Sequence, residues 1–147
     1  MKRILLTLLL AVASLAHGQE WLTDYDAALK LAKKQNRPVL MDFTGSDWCP
    51  PCMMLNRAVF QSKDFQTYAA EHLVLLKVDF PQRNPLPPAQ TERNRALAVR
   101  YGVIQNSTLV VPSIILLHPD GSTAGKMDDL SYRPKSFIAS LEKILKK

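Results

Sequence analysis

Cysteine is nearly absent from this sequence: its 147 residues include only two, Cys49 and Cys52. That is too few for a miniprotein stapled by disulfides. Glycine is scarce too, with five, which excludes a collagen-like fibre. Charged residues make up 22% and hydrophobic ones 47%, a balance that excludes a disordered tail and a polytopic membrane protein. Acidic residues are the minority, 13 against 19 Lys and Arg, for a formal net charge of +6. The basic side chains are scattered, among them Lys30, Arg37, Arg93, Arg100 and Lys143, and no aromatic-and-basic motif accompanies them. The surplus reads as a solvated surface, not a nucleic-acid site. No serine sits in a G-x-S-x-G elbow, which leaves Ser–His–Asp catalysis without support. What remains is one domain's length of chain and a single cysteine pair.

No apolar run reaches the roughly 20 residues of a spanning helix. The most apolar one, Ile4 to Ala16, follows a basic Lys2-Arg3 start and ends at Ala16-His17-Gly18, with small residues at the −3 and −1 positions of a cleavage site. The pattern predicts a secretory signal peptide over 1–18 and a mature domain over 19–147. The alternative is an uncleaved N-terminal anchor. No cysteine follows the run, which argues against lipoprotein processing. An exported, periplasmic protein is expected, in a compartment where a cysteine pair is bridged or redox-active.

Along the mature chain, helical spacing of Tyr25, Ala28, Leu29 and Ala32 predicts a helix capped by Thr23 or Asp24 and stopped at Asn36-Arg37-Pro38. Pro38 to Phe43 is almost continuously apolar, as a central strand is. A turn over Thr44–Asp47 leads through Trp48-Cys49-Pro50-Pro51-Cys52 into a helix carrying Met53, Met54, Leu55 and Val59. A helix from Ser62 to His72 and a strand from Leu73 to Phe80 follow. Pro81 to Gln90 holds four of the ten prolines and reads as an extended loop. Thr91 to Tyr101 is a helix ended by Gly102, and Ser113 to Leu117 a strand opened by Pro112. His118-Pro119-Asp120-Gly121 makes a turn to an edge strand over Ser122–Met127, and Pro134 starts the last helix. Helices alternating with buried strands predict an α/β domain with helices on both faces of one sheet.

Two cysteines separated by two residues at a strand-to-helix junction point to dithiol chemistry. The first lies at a helix N-terminus, where amides and the dipole favour thiolate. The second lies one turn on, within reach of a mixed disulfide formed by the first. Cys49 is thus the expected nucleophile and Cys52 the resolving thiol. A purely structural disulfide closing so short a loop would remove little unfolded-state entropy. A metal site would need more ligands than the mature chain's His72 and His118 supply nearby. Pro50 and Pro51 remove two amide donors, and no histidine stands between the cysteines. Both features argue against a strong oxidant with a very stable reduced form.

The chain resembles the thioredoxin family, in particular exported bacterial thioredoxin-like proteins with a Gly-Ser-Asp-Trp-Cys approach to the active site. The residues that carry the resemblance are Val39–Phe43, Trp48–Cys52, Lys77-Val78-Asp79, Tyr101-Gly102-Val103 and Val111-Pro112-Ser113. It spans Trp21 to Leu145. It implies a thioredoxin fold with a central mixed sheet, and a thiol–disulfide oxidoreductase with Cys49 and Cys52 as redox pair. It implies that Trp48 shapes the substrate-facing surface, that Pro112 is a cis-proline, and that Val111 offers backbone to a substrate chain. Asp42 matches a buried acid beneath the resolving cysteine, where it could take the Cys52 proton. Protein dithiol or disulfide substrates and a redox partner protein are implied, with no cofactor, metal, nucleic acid or stable membrane insertion. The alternatives are a relay serving one client such as an apocytochrome, and a non-catalytic metal-binding or interaction module. The sequence differs from thioredoxin in several ways. An extra residue lies between Asp42 and Trp48, and Thr44 replaces a common aromatic. Leu75 falls where a lysine often partners the acid, the Pro81–Gln90 loop is long, and Ile104–Val111 is inserted before Pro112. That insertion is expected to border the site and choose substrates, or else to begin the buried strand.

Overall fold

The computed structural model describes residues 20–146; the expected signal peptide lies outside the described residues. Five strands form one mixed sheet, in the order β1-β3-β2-β6-β7. They are β1 (Trp21–Leu22), β2 (Val39–Thr44), β3 (Val74–Asp79), β6 (Ser113–Leu117) and β7 (Thr123–Lys126). β3 runs parallel to β1 and β2, whereas β6 runs antiparallel to β2 and β7. The helices are α1 (Tyr25–Gln35), α2 (Pro50–Leu55), α3 (Lys63–His72), α4 (Pro88–Arg100) and α5 (Pro134–Leu145).

Every residue of β2 is buried, which is why its sequence does not alternate: both faces of this central strand are covered. Val39, Met41 and Phe43 face a core shared with Ala28 and Ala32 of α1 and Ala98 of α4. Leu40 faces a second core with Leu55, Phe60, Phe65, Phe137 and Leu141, from α2, α3, α5 and the turn after α2. Period-2 alternation puts Asp42 on this second face.

The helix boundaries follow from local chemistry. Asp24 caps α1 by accepting the Ala27 N–H at 2.7 Å, and Asn36 closes it in the left-handed region at φ 51°. α2 gives way after Leu55 to a π-helical turn over Asn56–Phe60, where a continuous α-helix was expected. α4 begins at Pro88 rather than Thr91; proline fits a first helical turn, whose amides have no intrahelical partner. Strand β1 is a further addition to the sequence reading. Instead of extending the buried strand, residues 104–109 form a separate hairpin, β4 (Ile104–Gln105) with β5 (Thr108–Leu109). Its turn residues Asn106 and Ser107 have φ of 48° and 64°, the left-handed pair of a tight hairpin turn.

Candidate active site

The site assembles at the C-terminal end of β2, where the chain turns into α2. Cys49 is the N-cap of α2, and Pro50 and Pro51 take the first two helical positions. Proline has no N–H, so the first free amide of the helix belongs to Cys52, and it donates to Cys49 Sγ at 3.3 Å. Cys49 and Cys52 are joined in a disulfide with Cα atoms 5.3 Å apart, and each is only 3% exposed.

The two sulfurs have different surroundings. Cys49 Sγ lies 3.9 Å from the carbonyl oxygen of Val111, on the residue before Pro112. The Val111–Pro112 peptide is cis, as the resemblance implied, and both residues are half-buried. Cys52 lines a cleft of about 190 Å³ together with Asp42, Thr44, Ser46, Asn56, Arg57 and Lys77.

Asp42 is 5% exposed and its Oδ1 has no hydrogen-bond partner. Burial pushes its carboxyl up from 3.8 to about 7; Lys77 opposes the shift and Asp79 adds to it. By resemblance a lysine partners the acid from position 75, which is leucine here. The parallel register corrects this: Asp42 pairs with Lys77 across β2 and β3, while Leu75 pairs with Leu40 in the apolar core. Asp42 stands inside β2, with Phe43 and Thr44 after it in the strand.

Trp48 is held from two sides. Its Nε1 donates to the Phe80 carbonyl at 2.6 Å, and its indole lies so close to Gly45 that a methyl group there would clash with the ring. Gly45→Ala therefore has to displace Trp48. Destabilisation of about 1–3 kcal/mol is expected, as for other overpacked positions, together with altered tryptophan fluorescence in the folded protein. An unchanged melting curve and emission spectrum would show that the indole does not rest on Gly45.

Sequence reasoning missed three polar residues around this turn. Asp79 binds Ser46, accepting its backbone N–H at 3.0 Å and also its hydroxyl. Asn94, buried on α4, donates to the Asp79 carbonyl at 2.8 Å. Asp47 accepts the backbone N–H groups of Gln82, Arg83 and Asn84 at 2.9, 2.7 and 3.2 Å, and these bonds hold its carboxyl below the usual carboxylate range. Lys77-Val78-Asp79 carried part of the resemblance, but neither charged residue had a role. Among the described residues, no group of three or more His, Cys, Asp and Glu stands where it could hold a metal ion. No described helix is long and apolar enough to cross a membrane.

The sequence pattern of thioredoxin-like proteins matches residues 20–119. The disulfide bond reductase DsbH of Chlamydia pneumoniae is 30% identical over 129 residues, which cover 88% of this chain and 72% of that protein. A solved structure of a DsbH oxidoreductase is similar with a TM-score of 0.78 at 27% identity, covering 99% of this chain and 94% of that one. A thioredoxin from Thermus thermophilus, 20% identical, shares the fold with a TM-score of 0.58 over 88% of this chain and 87% of its own. The mixed sheet, the bridged Trp-Cys-x-x-Cys pair at the end of its central strand, and the family pattern agree: the chain belongs to the thioredoxin-like family and is a thiol–disulfide oxidoreductase.

Proposed function

We propose that this protein is an exported, periplasmic disulfide reductase acting on protein substrates, with Cys49 as nucleophile, Cys52 as resolving thiol and Asp42 as proton acceptor. The observation that carries the reading is the asymmetry of the disulfide. Cys49 borders the backbone of Val111, where a substrate chain can pair beside Pro112, and Cys52 borders the cleft that holds Asp42.

In the reduced protein the Cys49 thiolate attacks one sulfur of a substrate disulfide. The substrate S–S bond breaks, a Cys49–substrate bond forms and the first substrate thiolate leaves. Cys52 gives its proton to Asp42, and its thiolate attacks Cys49 Sγ. The second substrate thiolate leaves, and the Cys49–Cys52 disulfide remains. A partner dithiol protein must return two electrons and two protons for the next cycle. Trp48, Val111 and Pro112 supply the surface against which the substrate chain lies.

Hydrogen-bond donors to the thiolate set the direction. A dithiol is a strong oxidant when its thiolate form is well stabilised. Here the two prolines leave Cys49 with a single helix amide, that of Cys52. The relative named a disulfide bond reductase points the same way. Export rests on the basic, apolar and small-residue pattern of residues 1–18. The test is catalysed reduction of insulin by dithiothreitol: the protein is expected to shorten the lag before the insulin B chain precipitates. Failure to do so, combined with rapid oxidation of a reduced unfolded protein by the disulfide form, would reverse the direction.

A further inference from the structure

The cleft shared by Cys52 and Asp42 also holds two cations, Lys77 and Arg57. Lys77 pairs with Asp42 across the strands and draws the carboxyl down while burial pushes it up. Arg57 is exposed and, among the described residues, has no ion-pair or hydrogen-bond partner. It is not among the charges that shift Asp42.

Helix geometry alone would not bring Arg57 to this cleft. At 3.6 residues per turn, an unbroken α-helix would carry Arg57 about 140° and Gln61 about 180° round the axis from Cys52. Both nevertheless line the cleft with Cys52. The chain widens where they occur. Residues Asn56–Phe60 are π-helical, and the Gln61 N–H donates to the Asn56 carbonyl, five residues back, at 2.9 Å. A wider turn advances each residue through a smaller angle, so Arg57 and Gln61 stay nearer the side of the cysteine. Single π-turns of this kind are rare and recur at functional sites.

We infer that the π-helical turn holds Arg57 in the cleft as the counter-charge of the Cys52 thiolate, where it promotes the resolving step. The inference rests on the reading of Cys52 as resolving thiol and Asp42 as proton acceptor, and adds the group that stabilises the product of that transfer. Before the transfer the negative charge is on the Asp42 carboxylate and Cys52 carries the proton. Afterwards Asp42 is neutral and the charge is on Cys52 Sγ, whose electron pair forms the bond to Cys49 Sγ as the substrate sulfur leaves. A cation nearer the acid resists this shift of charge, and one nearer the sulfur promotes it. Lys77 of β3 stands against Asp42 of β2, with Asp79 from the end of β3 acting on the same carboxyl. Arg57 comes from the helical segment that carries Cys52, five residues on. It acts through the Cys52 sulfur and touches no substrate, so it is a positioning residue.

The test reads the Cys52 thiolate directly. In the full mature protein carrying Cys49→Ala, Cys52 is the one cysteine left, and the carbon NMR shift of its labelled Cβ is followed against pH. Adding Arg57→Gln should raise the midpoint by about half a unit or more, a modest shift for a neighbouring opposite charge because the guanidinium is exposed to solvent. Arg57→Lys should keep most of the wild-type midpoint. Arg95→Gln, an equal loss of charge from an exposed position on α4, should leave it in place. The Arg57→Gln shift should persist when Asp42→Asn is added, since Arg57 acts on the sulfur. With both cysteines present, Arg57→Gln should slow resolution of a Cys49 mixed disulfide about threefold or more and leave the initial attack by Cys49 unchanged. A midpoint unmoved by Arg57→Gln, or moved equally by Arg57→Lys or Arg95→Gln, would overturn the inference, as would a shift that vanishes with Asp42→Asn. None of these results depends on insulin reduction, whose failure would remove the reductase reading instead.

Discussion

Cys52→Ala is expected to accumulate a mixed disulfide between Cys49 and substrate, and Cys49→Ala to accumulate none. Turnover should fall in both variants by on the order of a thousandfold or more, the scale seen when a catalytic nucleophile is removed. The difference between them follows from the positions of the two sulfurs. Cys49 Sγ accepts the one helix amide that Pro50 and Pro51 leave available, and an amide aimed at sulfur favours thiolate. It also borders Val111, where a substrate backbone can lie. Cys52 lies within the first turn of α2 and lines the same cleft as Asp42, which suits a thiol that waits for a proton acceptor. Exposure does not separate the two, since both are 3% exposed; the surroundings do. Incubation with a disulfide-bonded protein followed by non-reducing electrophoresis and mass spectrometry reads the result. Trapping by Cys49→Ala alone would exchange the two roles.

The central strand and the cysteine motif were legible because their signals are local. Residues 39–43 are apolar on both faces because both faces meet helices, and Asp42 stands out as the one charge in that run. The features that escaped depend on distant partners or on weak local signals. Strand β1 has two residues and exists only by pairing Trp21 and Leu22 with Leu75 and Leu76. The β4–β5 turn uses Asn106-Ser107 where Asn-Gly would have announced a hairpin. The π-helical turn after Leu55 has no residue signature, yet it accompanies the placement of Asn56 and Arg57 on the cleft with Asp42.

Lys77 shows how narrow such a miss can be. Positions 75 and 77 lie on the same face of β3, since side chains alternate with period two. Hydrophobic pattern alone therefore cannot tell which of them meets Asp42, and the parallel register decides it. Asp47 is the opposite case. Its three amide partners lie 35 to 37 residues away, so nothing near it in sequence marks it as an anchor. A capping carboxylate and an ordinary surface aspartate look alike until the loop is in place.

Asp42→Asn is expected to slow resolution of the mixed disulfide by about 10²-fold, within the range for removal of a general acid or base, and at the same time to stabilise the fold. In the wild type the resolving rate should rise with pH through about 7 as Asp42 loses its proton and becomes able to accept one from Cys52. The variant should lack that rise. The stability effect has a definite sign. The folded carboxyl titrates near 7, above the ordinary 3.8 it has in the unfolded chain. Between those values the folded state holds a proton that the unfolded state has released, so folding stability drops as pH climbs from about 4 to about 7 and then levels off. A separation of that size costs the wild type roughly 4 kcal/mol above neutral pH, with the opposing charge of Lys77 already included in it. Asparagine keeps the shape and has nothing to ionise. The oxidised variant should therefore exceed the wild type by about 2–4 kcal/mol at pH 8 and match it near pH 4. Urea unfolding of both oxidised proteins across this range measures the gap, and stopped-flow resolution of a Cys49 mixed disulfide measures the rate. A gap that does not widen between pH 4 and 8 would mean that Asp42 is already ionised at low pH in the folded protein. An unchanged rate profile would take the Cys52 proton elsewhere.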